Sequence, residues 1–260
     1  MLQTAPVFRS LQAESVVVQE LPADLETPVS VYLKLMGHGP SFLLESVTGG
    51  EQVARYSFIG IGPSRAFLLR DGALQCFSAE ASSGQLYPSL VEDCPSGRVV
   101  DPLAALRREI LPYQRPAMPG LPRFSGGLAG YWSYEMMRYF EPSVALQPHS
   151  ELPEAIFLMA DTLVAFDHAF GKLILMANLR AGQGFSAASG RQNGSLRQAQ
   201  HEAEGRLETL VERLSRPVPE LPSGPKLPGA ELRSNLSRAE FHVAVEKARE
   251  HIAAGDIFQV

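Results

Sequence analysis

Cysteine is scarce in this 260-residue sequence, with only Cys76 and Cys94 present. Two thiols in a chain this long do not make a disulfide framework. They also lack metal-type spacing and have no catalytic histidine pattern beside them, so a reducing, cytoplasmic setting is expected. No apolar run reaches the roughly 18 residues of a membrane-spanning helix. The first residues, MLQTAPVFRS, lack an apolar core long enough for a signal peptide. A basic excess is missing too. The formal net charge is -5, with no cluster of Lys and Arg, which argues against a nucleic-acid surface. HExxH, CxxC, GxSxG and Walker-type loops are all absent. The six histidines (His38, His149, His168, His201, His242, His251) are scattered and form no i, i+4 ligand pair. No catalytic constellation and no metal site is expected within this sequence.

What is present supports a packed core. Apolar residues make up 45% and charged residues 20%, a globular composition. The length suits one large domain or two modest ones. Ser15–Leu21 (SVVVQEL) predicts a first strand. Thr27-Pro28 predicts a helix start, because threonine caps free N–H groups and proline fits the first helical position; that helix runs to Gly37. Arg65–Arg70 and Ala73–Phe77 flank Asp71-Gly72, a type I′ hairpin signal. Residues 78–98 read as a loop rich in Ser, Gly and Pro. Asp101-Pro102 opens a second helix, and Pro112–Pro122 is too rich in proline for a helix or central strand.

Phe124–Phe140 (FSGGLAGYWSYEMMRYF) predicts a glycine-rich strand packed under aromatic rings, then a short helical piece. As a nucleotide loop it lacks the P-loop lysine and the βαβ context. Ile156–Asp167 and Lys172–Leu179 predict two strands joined by a turn at His168–Gly171, with Asp161 and Asp167 as strand-end residues rather than a catalytic pair. Leu196–Leu214 predicts a long amphipathic helix with Ala203, Leu207, Leu210 and Leu214 buried and its charged residues solvated. Arg216–Gly229 holds five prolines and reads as a linker. Ser237 and Glu240 form a capping box. Phe241, Val245, Ala248 and Ile252 follow as one buried helical stripe, Gly255 ends the helix, and Asp256–Val260 begins a strand. An apolar strand normally pairs with later strands, so this end reads as a truncation.

The most informative stretch is Ser41–Ser64, SFLLESVTGGEQVARYSFIGIGPS. Phe42–Leu44 and Tyr56–Gly60 are strand-like runs around a loop containing Gly49-Gly50, which predicts a hairpin or neighbouring strand pair. Glu45 and Ser46 end the first strand and Arg55 starts the second. One reading is a solvated salt bridge at the hairpin mouth, of a kind that contributes little. The other is a pocket for a zwitterion. There Glu45 and Ser46 would meet an ammonium, Arg55 a carboxylate, and Leu43 or Leu44 an apolar side chain.

These residues carry a resemblance. The segments LLES…RYSFIG, GGLAGYWSYEMMRYF, the PE-x-x-F-x-x-x-D-T-x-x-x-x-D-H pattern at Pro153–His168, and LSRAEFHVAVEKAREHIAAGDIFQV together resemble the anthranilate synthase component I family of chorismate-using enzymes. The last segment is the most specific match and resembles the opening of that family's chorismate-binding domain. The resemblance implies an α+β fold of mainly antiparallel sheets with outer helices. It implies an N-terminal regulatory and structural domain at 1–215, a Pro-rich linker at 216–234, and the start of the catalytic domain at 235–260. It places a tryptophan feedback site on Leu44, Glu45, Ser46, Arg55 and Tyr56.

The implied activity converts chorismate and ammonia to anthranilate and pyruvate with Mg²⁺, the ammonia coming from a glutamine amidotransferase subunit (component II). The metal ligands and acid–base residues are implied to lie beyond Val260, so this stretch alone is expected to be inactive. Aminodeoxychorismate synthase component I, of folate synthesis, shares the fold and stays open as an alternative. A free-standing amino-acid-binding regulatory module is the third reading.

Overall fold

Turn and cap chemistry decides where this chain reverses, and the computed structural model shows the result. It describes residues 16–37, 39–45, 55–79, 90–98, 101–111, 118–141, 143–144, 146, 151–179, 193–220 and 233–259. The Gly49-Gly50 turn and the glycine-rich stretch after Leu179 lie outside the described residues up to Asn193. The chain divides into two compact units, Met1–Pro219 and Glu220–Val260.

In the first unit β1 is Val16–Pro22, α1 Pro28–Leu35, β2 Ser41–Leu44, β3 Tyr56–Ile61, β4 Arg65–Arg70, β5 Ala73–Ala79 and β6 Leu90–Arg98. Next come α2 Pro102–Ile110, β7 Gly127–Trp132, a 3₁₀ turn Tyr134–Met136 running into α3 Met137–Phe140, β8 Ala155–Ala160, β9 Thr162–Asp167, β10 Lys172–Asn178 and α4 Asn193–Leu214. The strands form two five-stranded sheets, one ordered β1-β10-β9-β3-β2 and the other β6-β5-β4-β8-β7. Every pairing is antiparallel. The α+β class with antiparallel sheets and outer helices, expected above, is the observed one.

Local signals worked where the backbone alone decides. Thr27 Oγ1 accepts from the Ser30 amide at 3.1 Å, and Ser30 Oγ accepts from the Thr27 amide at 2.8 Å. Asp101 caps α2 through the Ala104 amide at 2.9 Å. Asp71 and Gly72 both have positive φ, 51° and 75°, as a type I′ turn requires. The core of the first sheet is also the expected one. Ala203, Leu207, Leu210 and Leu214 of α4 are buried against Val17, Ile59, Val164 and Leu175, with Val31 and Leu35 of α1 in the same cluster. The second sheet packs Phe67, Leu69 and Met159 against Ala105 and Leu106 of α2 and against Met136.

Four expectations for the first unit are corrected. Residues 78–98 are not all loop: Leu90–Arg98 is β6, paired to β5 with register shifts on either side of Cys76. Its proline is tolerated because β6 is an edge strand. Ile156–Asp167 is not one strand. It breaks at Asp161, so that β8 belongs to one sheet and β9 to the other. Gly130 makes room for backbone rather than a ring, since a Cβ there would lie 1.9 Å from the Ile156 carbonyl oxygen. The charged face of α4 is not wholly solvated, because Arg206 is buried at 2% exposure.

Arg206 donates to Thr162 Oγ1 at 2.7 Å, to the Asn178 carbonyl at 2.5 Å and, more weakly, to the Asp161 carbonyl at 3.4 Å. It therefore reaches the point where the chain changes sheet. That change is pinned from the other side. Asp161 accepts from Ser64 Oγ at 3.0 Å and from the Ser64 amide at 3.1 Å, and Ser64 marks the opposite crossing, from β3 into β4.

The second unit holds α5, Arg238–Ala254. Its capping box forms, with the Ser237 amide donating to Glu240 Oε2 at 2.7 Å and the Glu240 amide to Ser237 Oγ at 3.3 Å. Gly255 closes it at φ 82°. The stripe expected to be buried is exposed at Phe241, Val245 and Ile252. Residues 256–259 form no strand. Among the described residues α5 is the sole regular element of its unit, so stripe and extended segment have nothing there to pack or pair with.

The buried guanidinium gives a direct test. Arg206→Ala strands acceptors that its N–H groups now satisfy, and is expected to lower unfolding stability by about 3 kcal/mol. The exposed Arg249→Ala should stay within about 0.5 kcal/mol of wild type. Urea unfolding midpoints with equal m-values would measure both.

Candidate functional site

The β2–β3 end of the first sheet carries the residues singled out above. Leu44 closes β2, pairs with Phe58 and is half exposed. Glu45 follows it and is exposed. Ser46 lies outside the described residues. One residue past the last paired couple stand Glu45 on one side and Ser57 on the other. Arg55 lies two residues beyond Ser57, about 7 Å along the strand direction.

Arg55 does not stand alone. Its Nε donates to Asp167 Oδ1 at 3.0 Å and its Nη2 to Asp167 Oδ2 at 2.8 Å, a side-on bidentate pair. The guanidinium carbon lies 4.8 Å from the ring centroids of both Tyr56 and Phe170, within cation–π range. Asp167 is fully buried and Arg55 about a third exposed. Tyr56 begins β3 and pairs with Asp167 across to β9. Burial first, then the Asp167 carboxylate, push the Tyr56 phenol above its ordinary value, so it stays neutral at neutral pH.

Asp167 shows the opposite balance. Burial by itself raises its pKa. The hydrogen bond from Arg55, the nearby guanidinium charge and the Ala169 and Phe170 amides outweigh that and hold it below the usual carboxylate range. The reading of Arg55 as a partner of Glu45 in a hairpin-mouth salt bridge is thus replaced by a deeper pair with Asp167. Sequence reasoning left Asp167 and Phe170 out of the site. The Asp-His dipeptide at the end of the third motif was the available signal, but nothing in one dimension joins it to Arg55.

Beside this pair, Ser57 Oγ and His168 Nε2 are 2.8 Å apart. That is the separation of a nucleophile and its base. Ser57, however, has no exposed surface, so a substrate carbonyl cannot reach it. The His168 amide donates to the Arg55 carbonyl at 2.9 Å, which makes the arrangement a lock between the β3 start and the β9 end. Among the described residues no three His, Cys, Asp or Glu side chains converge to hold a metal ion. The Mg²⁺ that the resemblance implies therefore finds no ligand set among them. No helix among the described residues is long and apolar enough to cross a membrane.

A second buried carboxylate ties two of the motif segments together. Glu154 accepts from Arg138 Nη2, from Tyr139 Oη at 3.1 Å and from the Gly72 amide at 3.1 Å. This joins the β4–β5 turn, α3 and the start of β8. It is architecture.

Residues 39–260 match the model of the chorismate binding enzyme family. The chain belongs to that family. It is 37% identical over 243 residues to a probable anthranilate synthase component 1 of Schizosaccharomyces pombe, covering 92% of this chain and 42% of that protein. It is 34% identical over 251 residues to anthranilate synthase component 1 of Pseudomonas putida, covering 93% and 45%. The Thermus thermophilus protein of the same name is 36% identical over 241 residues, covering 92% and 44%. The resemblance to anthranilate synthase component I read from the sequence is borne out by these relatives. The chain spans less than half the length of each of them. A crystal structure of anthranilate synthase component I from Streptococcus pneumoniae aligns at a TM-score of 0.49 and 22% identity, covering 92% of this chain and 46% of that one.

The Asp167 pair predicts a signed pH effect. A carboxylate with a depressed folded pKa contributes stability that is fully present above the unfolded value of about 4 and is lost as pH falls through the folded value. The wild-type urea midpoint is expected to drop on acidification across that window. Asp167→Asn should start lower at pH 7 and fall less steeply over the same window.

Proposed function

We propose that this chain is the N-terminal part of an anthranilate synthase component I, and that the β2–β3 end of its first sheet is a tryptophan feedback site. The full-length protein is read as a cytoplasmic lyase that takes chorismate, with ammonia released by a glutamine amidotransferase subunit, to anthranilate and pyruvate. Residues 1–215 form the regulatory and structural part, 216–234 a Pro-rich linker, and 235–260, with α5, open the catalytic part. The observation that carries the reading is a coincidence of place. The family match and the anthranilate synthase relatives cover a chain in which one sheet end carries an exposed carboxylate, Glu45, at the end of β2 and a held guanidinium, Arg55, at the start of the neighbouring β3, with Leu44 and Tyr56 next to them in sequence.

Physically, such an end offers an acceptor for an ammonium, a fork for a carboxylate and an aromatic wall for an indole. An effector that prefers one arrangement of the whole protein shifts the population away from the active one. The described residues supply no metal ligand cluster and no exposed nucleophile–base pair. The chemistry is accordingly assigned to the rest of the full-length protein, together with the Mg²⁺ that would neutralise the substrate carboxylate. Residues 1–260 alone are expected to make no anthranilate.

The test is a fluorescence assay of anthranilate formation by the full-length protein with its amidotransferase partner, chorismate and glutamine. Tryptophan is expected to inhibit. Glu45→Ala and Ser46→Ala should each raise the inhibition constant about tenfold or more, the loss of a hydrogen bond to a charged group. Formation of aminodeoxychorismate instead would move the protein to the folate reading. Anthranilate formation indifferent to tryptophan would remove the feedback site.

A further inference from the structure

We infer that Asp167 and Phe170, at the far end of β9, are positioning residues that make Arg55 a reader of the effector's carboxylate. This rests on the feedback reading of the β2–β3 end and adds to it the mechanism by which a carboxylate is told from a neutral group.

The argument begins with the geometry of a guanidinium. It is planar and has five N–H donors in a fixed fork. Asp167 takes the side edge, through Nε at 3.0 Å and Nη2 at 2.8 Å. A carboxylate on that edge leaves the Nη1 edge of the same plane for a second one. Arg55 is 36% exposed while Asp167 is not exposed at all. The inner partner is thus fixed in the protein while about a third of the arginine side chain stays open to solvent. An arginine side chain free in solvent carries large rotamer entropy, and holding it in place beforehand removes that cost from ligand binding.

Two further contacts fix the plane. The guanidinium carbon lies 4.8 Å from the Tyr56 and Phe170 ring centroids. Phe170 is itself 68% exposed, and its ring face is within reach of two neighbouring cations. Its neighbours are the two cations Arg55 and Lys172, the latter 5.9 Å from its centroid and also paired to Glu20. Asp167 in turn is held by the Ala169 amide at 3.1 Å. One short turn, Asp167 to Phe170, therefore supplies both the counter-charge and a ring.

The charges add a consequence. Asp167 offsets the charge of Arg55, so the pair exerts little long-range pull on anions in general. Selection falls to the directional fork, which a carboxylate fits and a neutral or singly accepting group does not. Asp167 and Phe170 touch no ligand in this account; they act through Arg55.

The experiment uses the full-length protein and two probes, tryptophan and tryptamine, the same indole and ammonium without the carboxylate. Calorimetric Kd values are measured for the wild type, Phe170→Ala and Asp167→Asn. Phe170 is exposed, so its truncation is expected to leave a folded protein, whereas Asp167→Asn disturbs a buried pair and serves as the stronger variant where it folds. The wild type should bind tryptophan more tightly than tryptamine. Phe170→Ala should weaken tryptophan binding about three- to tenfold with little change for tryptamine, narrowing the ratio between them. A general loss of structure would weaken both probes alike and leave the ratio intact. Wild-type binding of tryptophan with an unchanged ratio in Phe170→Ala overturns the positioning role and leaves the feedback reading standing. No wild-type binding of tryptophan overturns both.

Discussion

The first unit depends on one polar junction, where the chain leaves each sheet for the other. The β3–β4 crossing ends at Ser64 and the β8–β9 crossing at Asp161, and Asp161 holds Ser64 through both its hydroxyl and its amide. A sheet change breaks the backbone ladder and exposes groups that must find partners elsewhere. Asn178 and Arg206 supply them: the Asn178 amide donates to the Asp161 carbonyl at 2.7 Å, and Arg206 brings its donors from α4. The helix that covers the first sheet is thereby fixed to the point that makes two sheets from one chain. The Asn178 side chain extends the junction to Ser125 at 2.8 Å, just ahead of β7.

The same device recurs with other carboxylates. Glu154 gathers Arg138, Tyr139 and the Gly72 amide, and Asp167 gathers Arg55 and the Ala169 amide. In each case a buried acid receives donors from segments far apart in sequence, which is the condition under which a buried charge is tolerated. Several residues of the family-like motifs are therefore spent on architecture. The proposed effector end stands on one of these knots, so the group that would read a ligand and the group that stabilises that end of the sheet are the same arginine.

The candidate site was half legible in the sequence. Glu45 and Arg55 stood out through the resemblance of LLES…RYSFIG to the family segment, since charged strand-end residues by themselves read equally well as a solvated ion pair. Asp167 and Phe170 did not, because they meet Arg55 through the β3–β9 pairing, and a pairing between strands over a hundred residues apart leaves no local trace. Arg206 was misread for a related reason. Its place on α4 is next to the apolar stripe, and a helical pattern cannot say whether a residue at the stripe's edge meets solvent or a row of carbonyl oxygens. The single strand expected across Ile156–Asp167 failed because both halves are apolar and β-prone. Only the demand of two sheets at once breaks it at Asp161.

The sequence by itself determined what short-range chemistry controls. It set the capped starts of α1, α2 and α5, the Asp71-Gly72 turn and the buried stripe of α4, and its motifs carried the resemblance that implied the antiparallel α+β class and the family. The caps, the turn and the stripe follow from hydrogen bonds and side-chain periodicities spanning a few residues, and such interactions do not depend on the rest of the chain. The tertiary structure alone decided which strands share a sheet, that β6 pairs with β5, where the chain crosses, and which acid holds which arginine. Those outcomes depend on contacts between distant segments, whose formation is governed by the burial of charge and apolar surface together.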